Sequence, residues 1–479
     1  MTDKDASVRT DEFPNSSPQG KAPQWVRQRV AKRGPLATTL ALGASVVLLT
    51  GCWDPARDLK IGTIGYATGF AGAVAVDEPR AALVARDTLS AGGSAVDAAV
   101  AAAWTMAVTL PSAVGVGGGG VCVVHDARSK TTEVLDFLPP PARGGAVAST
   151  QGGWVVSGRE GWPVAVPALP RGLYALHAKY GRLRWEALMA PAETVARFGE
   201  PTSRALARDL AAAGSGLSGD SATRDVFTVG GTRMIGEGDR LQQVDLSSTL
   251  GRLRQLGPGA LYDGVLGNQF LEAVQRAGGA LTREQLRSYI PTWRATVRQS
   301  VGYDTLHVPP QGMVGHDMVT VWNGAAAPAA AARAEGGTGM VVVDGEGSAV
   351  ACALTMNAPF GLGRMAPGMG ILLAEPGPGD GMARVPLSSG LIVNHNVNEF
   401  RLGVAAAGGD ASANAARAGQ AAIPGGQPAQ KAVAGLQGAA QTTLISCPLG
   451  VPARTDTCTV AVDPRGAGFA AIVGAEGER

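Results

Sequence analysis

What most restricts the fold of this chain is the way strand-like pairs alternate with helix-like pairs along its 479 residues. The run Gly72-Ala-Val-Ala-Val76 carries no polar side chain and reads as a buried strand, followed by a helix over 79–90. Ser94 and Asp97 have the spacing of a capping box, which opens an Ala-rich helix over 95–110. Strands are expected at 121–124 and 132–137 around a turn at 126–130, then a helical stretch over 170–198. Helices at 268–277 and 282–289 precede a strand pair near 298–308. Beyond an Ala/Gly/Pro-rich bridge, 340–343 and 349–355 form a hairpin around Asp344-Gly-Glu-Gly347. The chain ends in a further hairpin over 459–473. This alternation predicts an α+β protein with stacked sheets between helical layers.

The first 51 residues read as a targeting segment. The basic cluster Arg27, Arg29, Lys32 and Arg33 precedes an uncharged, mostly apolar run over 35–49, too short for a comfortable membrane span. It ends in Leu49-Thr50-Gly51-Cys52, which resembles the bacterial lipoprotein box, with Cys52 as the lipidated residue. The expectation is an exported protein at the periplasmic face of a bacterial membrane, held by a lipid anchor. Trp53, where an inner-membrane lipoprotein commonly has Asp, slightly favours the outer membrane. Cys447 and Cys458 flank a Pro/Gly-containing loop and could pair in an oxidising compartment. Cys122 and Cys352 lie in strand-like apolar runs and are expected to be buried free thiols.

Charge is balanced, with 41 basic against 39 acidic residues. The leader holds seven of the basic and four of the acidic ones, which leaves 34 against 35 in the remainder. No basic stripe offers itself to nucleic acid. The five histidines show no metal-ligand spacing with the cysteines, so no metal site is expected. The glycine run 115–120 lacks the Lys-Ser/Thr of a P-loop and precedes a strand, so it reads as close backbone packing rather than a phosphate cradle.

An ordered series of motifs resembles the γ-glutamyltransferase family. It runs through Asp77-Glu-Pro-Arg-Ala81, Gly92-Gly-Ser-Ala-Val-Asp97 with its alanines, the glycine run, Gly172-Leu-Tyr-Ala-Leu-His177, Tyr180-Gly-Arg-Leu-Arg-Trp185 and Ala277-Gly-Gly-Ala-Leu-Thr282. It continues through Val342-Val-Asp-Gly345, Asn357, Phe360-Gly-Leu-Gly363, Gly370-Ile-Leu-Leu373 and Pro386-Leu-Ser-Ser389. The resemblance implies an N-terminal-nucleophile hydrolase fold, a four-layer αββα sandwich, needing no cofactor. It also implies self-cleavage that exposes a threonine whose own α-amine takes the hydroxyl proton. On this basis 1–51 is a lipoprotein signal peptide, 52–308 a large-subunit-like region, 309–337 a linker and 338–479 a small-subunit-like region.

Several positions depart from that pattern. Counting back from Asp344, the nucleophile's place falls on Gly337, with Thr338 beside it and expected to face away from the site. Leu138 stands where the family has the arginine for the substrate carboxylate. Only Glu375 or Asp380 could replace the groups that hold its amino group. Other pieces match: Asn357, Ser388 and Ser389 as substrate-binding residues, and Gly408-Gly409 as the paired glycines of the oxyanion hole. The expectation is a γ-glutamyltransferase-like lipoprotein, catalytically impaired. The alternative is an enzyme cleaved before Thr338, acting on a γ-glutamyl or other small amide.

Overall fold

The structure, a computed structural model, describes residues 69–141, 146–148, 154–156, 161–326, 335–379 and 381–474. All of these belong to the unit Gly62–Arg479. The leader, Cys52, linker residues 327–334 and Asp380 lie outside the described residues.

Thirteen strands build two large sheets: β1 (Phe70–Val76), β2 (Gly119–Asp126), β3 (Thr131–Phe137), β4 (Thr292–Ala295), β5 (Val297–Val301), β6 (Asp304–Val308), β7 (Gly337–Asp344), β8 (Ala349–Thr355), β9 (Leu387–Asn394), β10 (Glu399–Ala407), β11 (Gln441–Val451), β12 (Thr459–Val462) and β13 (Phe469–Gly474). The first sheet has the order β4-β3-β2-β8-β7-β1-β13, and the second β5-β6-β9-β10-β11-β12. Neighbours in both are antiparallel. Each sheet draws strands from both sides of the bridge, so neither half has a sheet of its own.

The two-residue period of a strand explains the uninterrupted apolar runs. Ala73, Ala75, Val121, Val123, Val341 and Val343 pack towards the second sheet, against Leu387, Leu391, Phe400 and Ile445. Their neighbours Val74, Val76, Val124, Met340, Val342 and Leu354 pack on an outer helical layer. That layer includes α1 (Pro79–Ser90), α2 (Ala95–Thr109), α3 (Leu169–Tyr180) and α4 (Trp185–Phe198). The far face of the second sheet packs its Leu306, Ile392, Leu402 and Leu444 on α5 (Asp317–Trp322), α6 (Ala411–Ala422) and α7 (Ala429–Ala434). The result is the four-layer αββα sandwich of the N-terminal-nucleophile hydrolases. The capping box of Ser94 and Asp97 is formed in both directions.

The structure corrects two expectations and refines a third. The terminal segments do not form a hairpin. Thr459–Val462 pairs with β11 in the second sheet, while Phe469–Gly474 pairs with β1 in the first. Between them the chain crosses from one sheet to the other. Cys122 and Cys352 are not free thiols: β2 and β8 set them directly opposite, and they form a disulfide, as do Cys447 and Cys458. Cys122 and Cys352 are 230 residues apart in sequence, so only sheet register could reveal the pairing. Finally, the bridge is not featureless, because it contains α5, whose Trp322 ring lies against Gly419 of α6.

Candidate functional site

Gly337 opens β7 opposite Thr355, which in turn lies opposite Gly119. This places it at one end of the sandwich. Alternation along β7 sends positions 337, 339, 341 and 343 towards the second sheet, and 338, 340 and 342 towards the helices. A Cβ at Gly337 would stand 3.0 Å from Leu387 Cδ2 and 3.1 Å from Ala407 Cβ. A side chain at 337 would therefore need these two neighbours to give by a few tenths of an ångström.

Thr338 is 2% exposed and points the other way. Its hydroxyl donates to Asp77 Oδ2 at 3.1 Å, and the Gly339 N–H donates to the same oxygen at 2.8 Å. Burial pushes the Asp77 carboxyl up to about 6, against the lowering effect of these two hydrogen bonds. Asp77, Gly337 and Thr338 line a cavity of about 370 Å³ with Ala407, Arg208 and Asp209.

Leu138 lies on the same end but lines a different cavity, of about 300 Å³, with Asp136, Pro139, Val164, Tyr289 and Arg294. Its side chain belongs to the core between the sheets, and its N–H donates to Asp136 Oδ1 at 3.2 Å. Arg294 Nε stands 3.7 Å from Asp136 Oδ2. Glu375, 3% exposed, lies 3.5 Å from Arg384 Nε, so this carboxylate already has a half-buried cation beside it.

Asn357 adopts φ +62°, a conformation that asparagine tolerates better than most residues. Its Nδ2 donates to the Glu375 carbonyl at 2.9 Å and its Oδ1 accepts from the Arg384 N–H at 3.1 Å. The side chain is thus a strut between two loops. Ser388 and Ser389 are both fully buried, and neither hydroxyl has a hydrogen-bond partner. Being adjacent on β9, they face opposite ways: Ser389 shares the side of Leu387 and Leu391, between the sheets, and Ser388 that of Ile392, under the outer helices. Gly408, at φ +114°, donates its N–H to the Pro386 carbonyl at 2.9 Å, and Gly409 follows at the approach to α6. The Gly408 N–H is therefore engaged within the protein.

The opposite end of the sandwich holds a cluster that sequence spacing missed. His307 Nε2 lies 2.8 Å from His395 Nε2, and His307 Nδ1 lies 2.7 Å from Thr296 Oγ1. His125, from the first sheet, reaches Thr132 Oγ1 at 2.9 Å and stands edge-on to His395, ring centroids 6.3 Å apart. Burial pushes His125 down to about 4 and His307 to about 3, with His395 also lowered. The only sequence signal was a histidine inside each of two apolar strands; their meeting depends on how the sheets stack. Among the described residues, no group of three or more His, Cys, Asp or Glu is arranged to hold a metal ion.

The sandwich is similar to the crystal structure of cephalosporin acylase from Bacillus halodurans, with TM-score 0.65 and 19% identity, covering 87% of this chain and 97% of that one. At that identity the likeness concerns the fold alone. Among curated relatives, human glutathione hydrolase 7 is 32% identical over 307 residues, 60% of this chain and 45% of that protein. The glutathione hydrolase proenzyme of Bacillus subtilis (strain 168) is 32% identical over 254 residues, 52% of this chain and 43% of that protein. The chain spans less than half the length of these relatives. The family model described as gamma-glutamyltranspeptidase matches residues 81–323, half of the chain, and the motif series continues beyond it on the same sandwich. The chain belongs to the gamma-glutamyltranspeptidase family.

Proposed function

We propose that this protein is an exported, lipid-anchored member of the family that binds a small molecule and does not carry out γ-glutamyl transfer. One observation carries the reading: position 337, which lines the cavity of about 370 Å³, has no side chain to act as a nucleophile. Leu138 in place of the arginine removes the bidentate partner of a substrate carboxylate. Losing a nucleophile together with a ligand anchor is hard to rescue, because catalysis depends on groups that act together in the transition state. The leader with its Leu49-Thr50-Gly51-Cys52 box supports the anchor. The test is the intact mass of the folded chain with a γ-glutamyl amide hydrolysis assay. A single uncut chain without turnover is expected, and two fragments or turnover would refute the reading. Metabolic labelling with a fatty acid, abolished in Cys52→Ser, checks the anchor.

A second reading has the hydrogen bond between Thr338 and Asp77 in its favour. In it the chain is cut between Gly337 and Thr338, and the freed threonine attacks a small amide. Fragments split at that bond, absent in Thr338→Ala, are its signature.

A further inference from the structure

The cavity beside Leu138, about 300 Å³ in volume, is at the small end of the range for ligand pockets. Pro139, Val164, Val166 and Leu281 give it apolar walls. Among the described residues, its lining holds two charged groups, Asp136 and Arg294, and they are set against each other. Asp136 Oδ2 stands 3.7 Å from Arg294 Nε, while Oδ1 accepts the Leu138 N–H at 3.2 Å. An ionic ligand would shed its water here and find these two charges already matched.

The polar feature of the cavity is Tyr289. It follows the helix Arg283–Ser288, lines the cavity and is 9% exposed. Its hydroxyl is buried and has no hydrogen-bond partner. The ring stacks on that of Tyr262 with 23° between the planes, and the Tyr262 hydroxyl is taken by the Pro167 carbonyl and the Arg171 N–H. The Arg171 guanidinium also donates to the Tyr289 carbonyl, so ring and backbone are both held. Burial, then Tyr262 and Asp136, push the phenol well above its ordinary value, which keeps it a protonated donor. A buried hydroxyl without a partner costs free energy, and a ligand oxygen that accepts from it recovers that cost.

We propose that this cavity is a binding site for a small uncharged molecule, with an apolar body and one carbonyl or amide oxygen that accepts from Tyr289. The proposal rests on the reading above, that this protein binds a small molecule, and names the class of that molecule. The apolar body fills the space between Val164, Val166 and Leu281, and the oxygen sets its orientation.

Benzamide and benzoate are suitable probes, because they share a shape and differ in charge. The full chain in mild detergent is titrated with each, and binding and melting temperature are followed. Benzamide is expected to bind at least roughly tenfold more tightly than benzoate. Tyr289→Phe should weaken benzamide by roughly fivefold. It should leave the unliganded protein as stable as the parent or more so, because the hydroxyl it removes has no partner. If that variant does not fold, Ser288→Trp, at an exposed position of the lining, should block the cavity and abolish binding. Benzoate binding as tightly as benzamide overturns the proposal, and so does benzamide binding that is unchanged in a folded variant. Intact mass and γ-glutamyl amide turnover are measured on the same samples. Cleavage or turnover refutes the functional reading and the proposal with it, whereas an uncut, inactive chain indifferent to benzamide overturns the ligand class alone.

Discussion

The two ends of the sandwich differ in what burial has done to their polar groups. At the Gly337 end, the polar side chains of Asn357 and Asp77 are tied to structural partners. Gly337 and Leu138 offer no polar side chain, Asn357 braces two loops, and burial pushes the Asp77 carboxyl up to about 6. At the His125 end, side chains from both sheets meet, and burial holds the imidazoles uncharged. The first end keeps two cavities, whereas the second packs ionisable groups as a seam.

The largest expected effect tests the seam. The folded pKa values of His125 and His307 lie below the ordinary 6.5, so the unfolded state binds more protons as pH falls below 6.5. Stability is full above that value and declines towards pH 4, by on the order of 5 kcal/mol for the pair. Denaturant unfolding at several pH values measures this, and replacing both histidines with glutamine should flatten the curve. A parent protein as stable at pH 4.5 as at pH 7.5 would break the contrast between the ends.

Gly337→Thr puts a branched side chain where a Cβ already stands 3.0 Å from Leu387 and 3.1 Å from Ala407. It should destabilise the fold by about 2–3 kcal/mol and yield no processing, with partial recovery in Leu387→Ala. An unstrained, self-cleaving variant would show that this end lacks only one side chain.

Asp77→Asn acts with the opposite sign to the histidines. A raised carboxyl pKa contributes stability that is present below pH 3.8 and lost as pH rises through about 6. Asparagine still offers an oxygen to Thr338 and Gly339, so the variant should gain about 1–2 kcal/mol at pH 7.5 and nothing at pH 4. A uniform loss at both pH values would mean that the charge itself is wanted.

The smallest effect is that of Thr338→Val, about 1 kcal/mol for one hydrogen bond to Asp77. Thermal unfolding resolves it, and a loss of enzymatic turnover without a stability change would favour the second functional reading.

Much of the local structure was legible because period and caps are local. The capping box of Ser94 and Asp97, the apolar strands and the place of Gly337 seven residues before Asp344 all follow from spacing within short windows. The opposite facing of Ser388 and Ser389 is equally readable from the two-residue period, although both match family serines near the substrate carboxylate. The hairpin expected over 459–473 failed for a different reason. Short uncharged strands carry no mark of their partner, and here the partner of β13 is β1, almost four hundred residues away.

By itself, the sequence determined the family, the helix starts, the strand faces and the absence of a side chain at 337, since each depends on residue identity or on neighbours within a turn or two. Tertiary structure alone decided the Cys122–Cys352 pairing, the meeting of three histidines, and the tight approach of Leu387 and Ala407 to Gly337. Those features arise from register and sheet stacking, which join segments hundreds of residues apart through backbone hydrogen bonds that carry no residue-specific signature.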